Sequence, residues 1–341
     1  MSSGPFVFSK LAPLKTSEVY DTYWQFAAER QEIFFRRLNR HSPPWSEDEV
    51  LSRYKFTNCY RAADRVSQYL IRHVIYEGSQ EPEEVFFRII LFKLFNKIET
   101  WELFKSSMEE ISYRSYSYKV YDRILSGAMQ RGITIYSAAY LMASGSRAFR
   151  VVRKHQAHLR LLEMMMKNRV SSTLLTANNL VQVFELLRSY PLIGDFLAYQ
   201  YAIDINYSTL VDFSEMSFVM PGPGARDGIK KCFISTGGLS DADVIKVVTE
   251  RQNLEFARLG ISFRSLWGRS LQLIDCQNLF CEVDKYARIV HPEVKGISGR
   301  SRIKQLFRPK QSNIEYWFPP KWEINTLIQN KMSSSDAKIA V

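Results

Sequence analysis

Apolar and polar positions recur with helical rather than strand period along most of the chain. From a candidate N-cap at Ser17, the residues Tyr20, Tyr23, Trp24, Ala27, Ala28, Ile33 and Phe34 fall on one face of a helix reaching Arg40. Arg30, Arg36, Arg37 and Arg40 fall on the other face. Pro43 and Pro44 end this element, and Ser46 followed by Glu49 forms a capping-box pattern for the next. Residues 83–104 form one strongly apolar stretch carrying Val85, Phe86, Ile89, Ile90, Phe92, Leu94 and Phe95, expected to be the central core helix. Residues 113–121 hold four tyrosines, and Tyr116 and Tyr118 lie two apart, which suits a short strand or an irregular segment. Residues 149–167 read as a helix exposing Arg150, Arg153, Lys154 and Arg160. His155 and His158 are placed on that solvated face, and Met164, Met165 and Met166 are read as core filler. The expected class is mainly α. One unit is expected over residues 17–331, divisible into lobes 17–170 and 171–331, with flexible flanks at 1–16 and 332–341.

Composition adds a partner. Hydrophobic residues make up 46% of the 341-residue chain and aromatics 13%, which is globular composition, so disorder is excluded. The formal net charge of +11 favours a polyanion, because each neutralised phosphate releases a condensed counterion. Cys59, Cys232, Cys276 and Cys281 are scattered without a CxxC pair, so neither a zinc site nor any other metal or cofactor is called for. Reduced thiols, no apolar run of membrane-spanning length and no signal-peptide pattern place the protein in the cytoplasm, away from membranes.

Three segments carry candidate chemistry. Basic and aromatic residues alternate through Arg53, Tyr54, Lys55, Phe56, Asn58 and Arg61, as a surface that holds phosphates and stacks on bases requires. A loop pinned to the core by its aromatics accounts for that spacing equally well. The run Arg188-Ser189-Tyr190-Pro191-Leu192-Ile193-Gly194-Asp195 reads as helix, proline-led turn and helix, and such a turn aims amides at a phosphate. Next, Pro221-Gly222-Pro223-Gly224 permits close backbone approach to a ligand and leads to Lys230 and Lys231. It fails the GxxxxGK[ST] spacing, so it is not a nucleotide-phosphate loop. On a helix over residues 275–288, Asn278, Glu282 and Lys285 share a face beside Asp284. A solvated salt-bridge lattice is the plain reading of those charges. The flanking apolar residues argue for burial, where a carboxylate beside a lysine is costly unless paired or useful.

These segments together resemble the helical domain of phage 5-hydroxymethyluridine DNA kinases and the related α-glutamyl/putrescinyl-thymine pyrophosphorylase families. Those families are placed in the helix–hairpin–helix DNA glycosylase superfamily. The matching pieces are Trp24 to Arg30, Pro44-Trp45 through Arg65, Gly194 to Gln200, Phe218 to Phe233, and Cys281 to Arg288. The resemblance implies a helix–hairpin–helix glycosylase-like helical fold. Lyase-type members carry a Schiff-base lysine two residues after the last hairpin glycine, where this chain has Phe196, so the implied chemistry is water-dependent. The superfamily's usual aspartate has no counterpart in the comparable run Val219 to Gly224. The general base is therefore sought at Asp284, beside Glu282 and Lys285, then at Asp212 and Glu215, with Asp227 a further candidate.

On this reading the chain is a monofunctional DNA glycosylase that flips and excises a modified pyrimidine, as a defence against phage DNA. DNA contacts are expected from Arg53, Lys55, Arg61, Arg188, Ile193, Gly194, Gly222, Gly224, Lys230 and Lys231. Tyr54, Phe56, Asn58, Tyr199 and Asn278 are expected to line the base pocket. The alternative is a transferase acting on an activated 5-hydroxymethyl pyrimidine in DNA, with a separate kinase as partner. A third reading is a modified-base binder without catalysis.

Overall fold

The computed structural model describes residues 12–140, 142–308 and 315–329; of the ends expected to be flexible, 1–16 and 332–341, residues 1–11 and 332–341 lie outside the described residues. The chain folds as two compact units. Met1–Tyr60 and Pro221–Gln311 build the first, and Arg61–Met220 and Ser312–Val341 the second. Each unit draws on two separate stretches of chain, an arrangement different from consecutive lobes at 17–170 and 171–331. Both units are mainly helical.

The first unit opens with β1 (Lys15–Thr16), α1 (Glu18–Leu38) and α2 (Glu49–Arg53). Ser17 caps α1 by accepting the Val19 amide proton at its Oγ. The second cap is Asp48 rather than Ser46. Its carboxylate accepts from the Leu51 amide at 2.8 Å, while the Ser46 hydroxyl donates to Glu29 instead. Arg30, expected on the exposed face of α1, is buried and its guanidinium donates to the Thr57 carbonyl and the Asn58 side chain.

The second unit follows with α3 (Arg65–Tyr69), which runs on into a π-helical turn at Leu70–Ile75. Next come α4 (Pro82–Phe95), α5 (Ile98–Ser107), α6 (Tyr118–Gln130), α7 (Lys154–Lys167), α8 (Val170–Leu174), α9 (Leu180–Arg188) and α10 (Asp195–Asn206). The apolar stretch at 83–104 is two helices, because Asn96 turns left-handed at φ 48° and ends α4. Every residue of α4 from Glu84 to Phe95 is buried, so a helix covered on all sides, mostly apolar but carrying Glu84, Arg88 and Lys93, lies at the centre of this unit, packed by α7, α8 and α10. The tyrosine segment is irregular before α6 begins, and Glu84 holds it by accepting from the Ser112 hydroxyl and the Tyr113 amide.

Expected on a solvated surface, His155 and His158 are in fact wholly buried. His155 meets Asp122, and His158 lies between the Tyr136 hydroxyl and the Ala143 carbonyl. Hydrogen-bonding neighbours on other elements pull these rings inward, and the polar look of their sequence surroundings hides it.

The chain then returns to the first unit through α11 (Pro223–Cys232), β2 (Phe233–Ser235), α12 (Asp241–Glu250), α13 (Gln252–Arg258) and α14 (Leu273–Val290). β2 pairs antiparallel with β1. α14 packs along α11 and against α1 and α12, around an aromatic core in which Trp24 meets Tyr23 and Phe256, each at 4.9 Å between ring centroids. Gly228 lets α11 approach α14: a Cβ there would lie 2.0 Å from the Phe280 carbonyl oxygen. No helix among the described residues is long and apolar enough to cross a membrane.

Candidate nucleic-acid interface

The alternating basic and aromatic segment does not stand alone. Arg53 to Lys55 pairs with an extended stretch near the end of the first unit, through an antiparallel bridge between Tyr54 and Leu306. The Lys55 amide donates to the Gln305 carbonyl at 3.0 Å, and the Phe307 amide donates to the Arg53 carbonyl at 2.9 Å. Arg53 and Lys55 are exposed, and so are Lys295, Arg300, Arg302, Lys304 and Arg308 on the partner stretch. Residues 294–308 contain no acidic side chain. Trp45 packs edge-on against Phe307, and the Arg37 guanidinium lies 5.1 Å from the Trp45 ring centroid. Sequence reading found one strand of this ribbon and missed the other. The basic run at 295–308 is a signal in the sequence, but only the fold shows that it pairs with residues 53–55.

Helix α14 is the platform beneath the ribbon. Glu282 accepts from the Thr57 amide at 3.1 Å and pairs with Lys285 at 2.7 Å, and the Lys285 ammonium sits 4.6 Å from the Phe56 ring centroid. Arg288 donates to the Arg302 carbonyl at 3.1 Å. Asp227 accepts from the Ser298 amide at 2.7 Å. Burial disfavours the Asp227 charge, but its hydrogen bonds from Ser298 prevail and hold the carboxyl below its ordinary range. Half-buried Asn278 lies nearly three turns before Arg288 on the same helix.

This arrangement corrects several sequence-based roles. Asp284 is no general base open to water: its side chain is 3% exposed, 3.0 Å from the Lys231 ammonium and paired with Arg288. Lys231 is therefore buried and no phosphate contact, whereas its neighbour Lys230 is exposed. Gly222 and Gly224 do not form an open cradle. Gly222 is buried at the start of α11, and a Cβ on Gly224 would meet the Cys281 sulfur at 3.1 Å, so the glycine serves helix packing. Phe56 and Asn58 are buried too, Phe56 against Phe26 and Tyr286, and Asn58 under Arg30. Tyr54 remains half-exposed on the ribbon.

The remaining candidates belong to the second unit. Arg61 is buried and pairs with Asp204 at 2.7 Å, donating also to Gln200, so it is not a surface cation. Tyr199 is wholly buried against Phe218. Between α9 and α10 the expected hairpin is present as helix, turn and helix, but the left-handed residue is Leu192 at φ 70° rather than Gly194. Ile193 is buried, Gly194 is exposed with open space where a Cβ would stand, and Arg188 pairs with Asp195 at the surface. Phe196 stacks on Tyr140. Asp212 is exposed and 3.2 Å from the Lys321 ammonium, while Glu215 is buried.

The first unit also carries a pocket, open to solvent, of about 480 Å³, lined by Phe26, Glu29, Arg36, Asp48, Leu51 and Tyr286 among others. The Tyr286 hydroxyl donates to Asp48 at 2.5 Å, and Glu29 is held by the Ser46 hydroxyl. Its lining mixes polar and apolar side chains, and the Glu29 and Asp48 carboxylates offer acceptors to a ligand that carries N–H or O–H donors. Glu18, His291 and Glu293 are a set that could hold a metal ion, their ligand atoms lying within 4.8 Å of one another. Both glutamates are exposed, and the other ring nitrogen of His291 is 2.8 Å from the Thr22 hydroxyl.

The family model described as "5-hmdU DNA kinase, helical domain" matches residues 17–296. The chain belongs to that family. It is similar to a 5-hmdU DNA kinase of Bacillus phage SP10, 27% identical over an alignment of 291 residues that covers 79% of this chain and 45% of the phage protein. The chain thus spans less than half the length of that relative. No solved structure matches it. A kinase relative overturns the glycosylase reading, and with it base excision and hydrolase chemistry. The side chains agree: the favoured base, Asp284, is locked between two cations. Kinship with the wider helix–hairpin–helix glycosylases is carried by neither match.

Proposed function

We propose that the chain is the DNA-base-handling domain of a group-transfer enzyme that acts on a 5-hydroxymethyl pyrimidine in DNA. The observation that carries this reading is the family match across residues 17–296, joined to a positive charge displayed on one exposed ribbon. In the transfer, the hydroxymethyl oxygen of the base attacks the terminal phosphorus of a nucleoside triphosphate. The bond from that phosphorus to its bridging oxygen breaks, the nucleoside diphosphate leaves, and the hydroxyl proton passes to a base or to water. The N-glycosidic bond stays intact. The part assigned to this chain is recognition and presentation of the base; the grip on the phosphoryl donor is assigned to none of its residues.

The pocket lined by Phe26 and Tyr286 is the proposed seat of the base. Its volume suits a nucleobase, its aromatics give the base a face to rest on, and Glu29 and Asp48 accept from the imide N–H and the hydroxymethyl hydroxyl. Fluorescence anisotropy on matched duplexes, one with a single 5-hydroxymethyluracil and one with thymine, tests this. Tighter binding to the modified duplex is expected, and Glu29→Gln should reduce the preference while leaving thymine DNA binding unchanged. Equal affinity for the two duplexes in the unmodified protein sinks the reading.

A further inference from the structure

We infer that the ribbon formed by residues 53–55 and 300–308 is a preorganised track for the DNA phosphate backbone, with its second strand supplied from outside the family-matched region. The inference rests on the DNA reading above and names the surface that carries it. Residues 17–296 match the family model, so Arg300, Arg302, Lys304 and Arg308 lie beyond that match. The fold nonetheless pairs the 305–307 end of this stretch, between Lys304 and Arg308, with Arg53 to Lys55, through backbone hydrogen bonds in both directions.

Three features argue for phosphate rather than for a merely solvated face. First, the charge is mostly of one sign: all six cations are exposed and residues 294–308 contain no carboxylate of their own, Asp227 on α11 acting only on Arg300 among them. Like charges along one stretch of chain repel each other, a cost that a polyanion relieves on binding. Second, the second strand is tied down at separate points, by Asp227 to the Ser298 amide and by Arg288 to the Arg302 carbonyl. The cations are therefore displayed on a fixed backbone, and less ordering entropy is lost on contact. Third, Gly296 makes the first tie feasible, since a Cβ there would lie 2.9 Å from an Asp227 carboxylate oxygen. The partner chemistry is a linear row of phosphates, read without regard to base sequence.

The test uses the full chain without an affinity tag, and duplexes with and without 5-hydroxymethyluracil, titrated across a salt series. The variant is Arg300→Ala/Arg302→Ala/Lys304→Ala. A charge-matched control in the second unit is Lys119→Ala/Arg123→Ala/Arg131→Ala, all exposed. The ribbon variant should lose at least about tenfold in affinity for both duplexes, and its log–log salt slope should flatten by roughly 2 to 3, at about 0.9 per phosphate contact. The control should keep the slope of the parent. Equal losses in the two variants, or an unchanged slope in the ribbon variant, overturn the inference. Arg300→Lys/Arg302→Lys keeps charge and fold together and should retain the parent slope. Should the parent chain itself bind neither duplex, the DNA reading fails, an outcome distinct from failure of the ribbon.

Discussion

Lys231 and Asp284 meet 3.0 Å apart on the facing helices α11 and α14, each almost wholly buried, and Arg288 closes on the same carboxylate from one turn further along. The second unit repeats the motif, with Asp204 between Lys93 at 3.0 Å and Arg61 at 2.7 Å. In each unit a carboxylate removed from water is held by two cations, at least one of them from a neighbouring element. Such a group is stable only as a set, because removing one partner leaves a desolvated charge behind. These clusters order the helices, and in the first unit the order extends outward: Arg288 reaches from Asp284 to the Arg302 carbonyl of the ribbon.

Adjacent lysines should therefore behave in opposite ways. Lys231→Ala strips Asp284 of its buried partner and should destabilise the protein by about 3 to 5 kcal/mol in urea unfolding. Lys230→Ala touches an exposed side chain and should stay within about 0.5 kcal/mol of the parent. Similar losses in both variants are incompatible with the ion cluster described.

Asp204 and His158 make the second unit sensitive to acid. Burial disfavours the Asp204 charge, but Arg61 and Lys93 outweigh it and hold the carboxyl below its ordinary value. For His158, burial is the main cause and pushes the imidazole down to about 4, since the neutral ring is the one that fits between Tyr136 and Ala143. Both folded pKa values are depressed. The stability tied to His158 is thus fully present above its unfolded value near 6.5 and is lost as pH falls toward 4, with roughly 3 kcal/mol at stake. Asp204 contributes the same sign of dependence at lower pH. Thermal melts between pH 7 and pH 4 should show a steady fall that His158→Phe makes shallower; an identical pH profile in that variant contradicts the assignment.

Much of the helical frame is legible in the sequence, and little of the site is. Ser17 announces α1, and the spacing of Tyr20, Tyr23, Trp24 and Phe34 gives its buried face, because periodicity is a local property. Arg30, Arg61, Lys231, His155 and His158 were placed at the surface and are buried. Their partners lie far off in sequence, as Asp204 does from Arg61. No local pattern separates a satisfied buried charge from a solvated one. The ribbon was half legible for the same reason: Arg53 to Lys55 stands out by composition, but its partner 250 residues on is brought there by the fold.

Two glycines that look alike in sequence should respond differently to alanine. At Gly228 a methyl would collide with the Phe280 carbonyl oxygen, backbone against backbone, so α11 and α14 must separate. Gly228→Ala should lower the thermal midpoint severely, with a cost of a few kcal/mol of the kind that overpacking brings. At Gly194, φ is −85° and nothing lies within 4 Å of the site where the Cβ would stand. The fold therefore has no steric need for glycine there, and Gly194→Ala should melt with the parent. Its exposed position just before α10 means that any loss it causes must appear against an external ligand. A DNA titration of Gly194→Ala beside its melt reads both at once: unchanged stability with weaker binding supports a role for the hairpin amides in phosphate contact. Unchanged binding assigns the hairpin to helix packing alone.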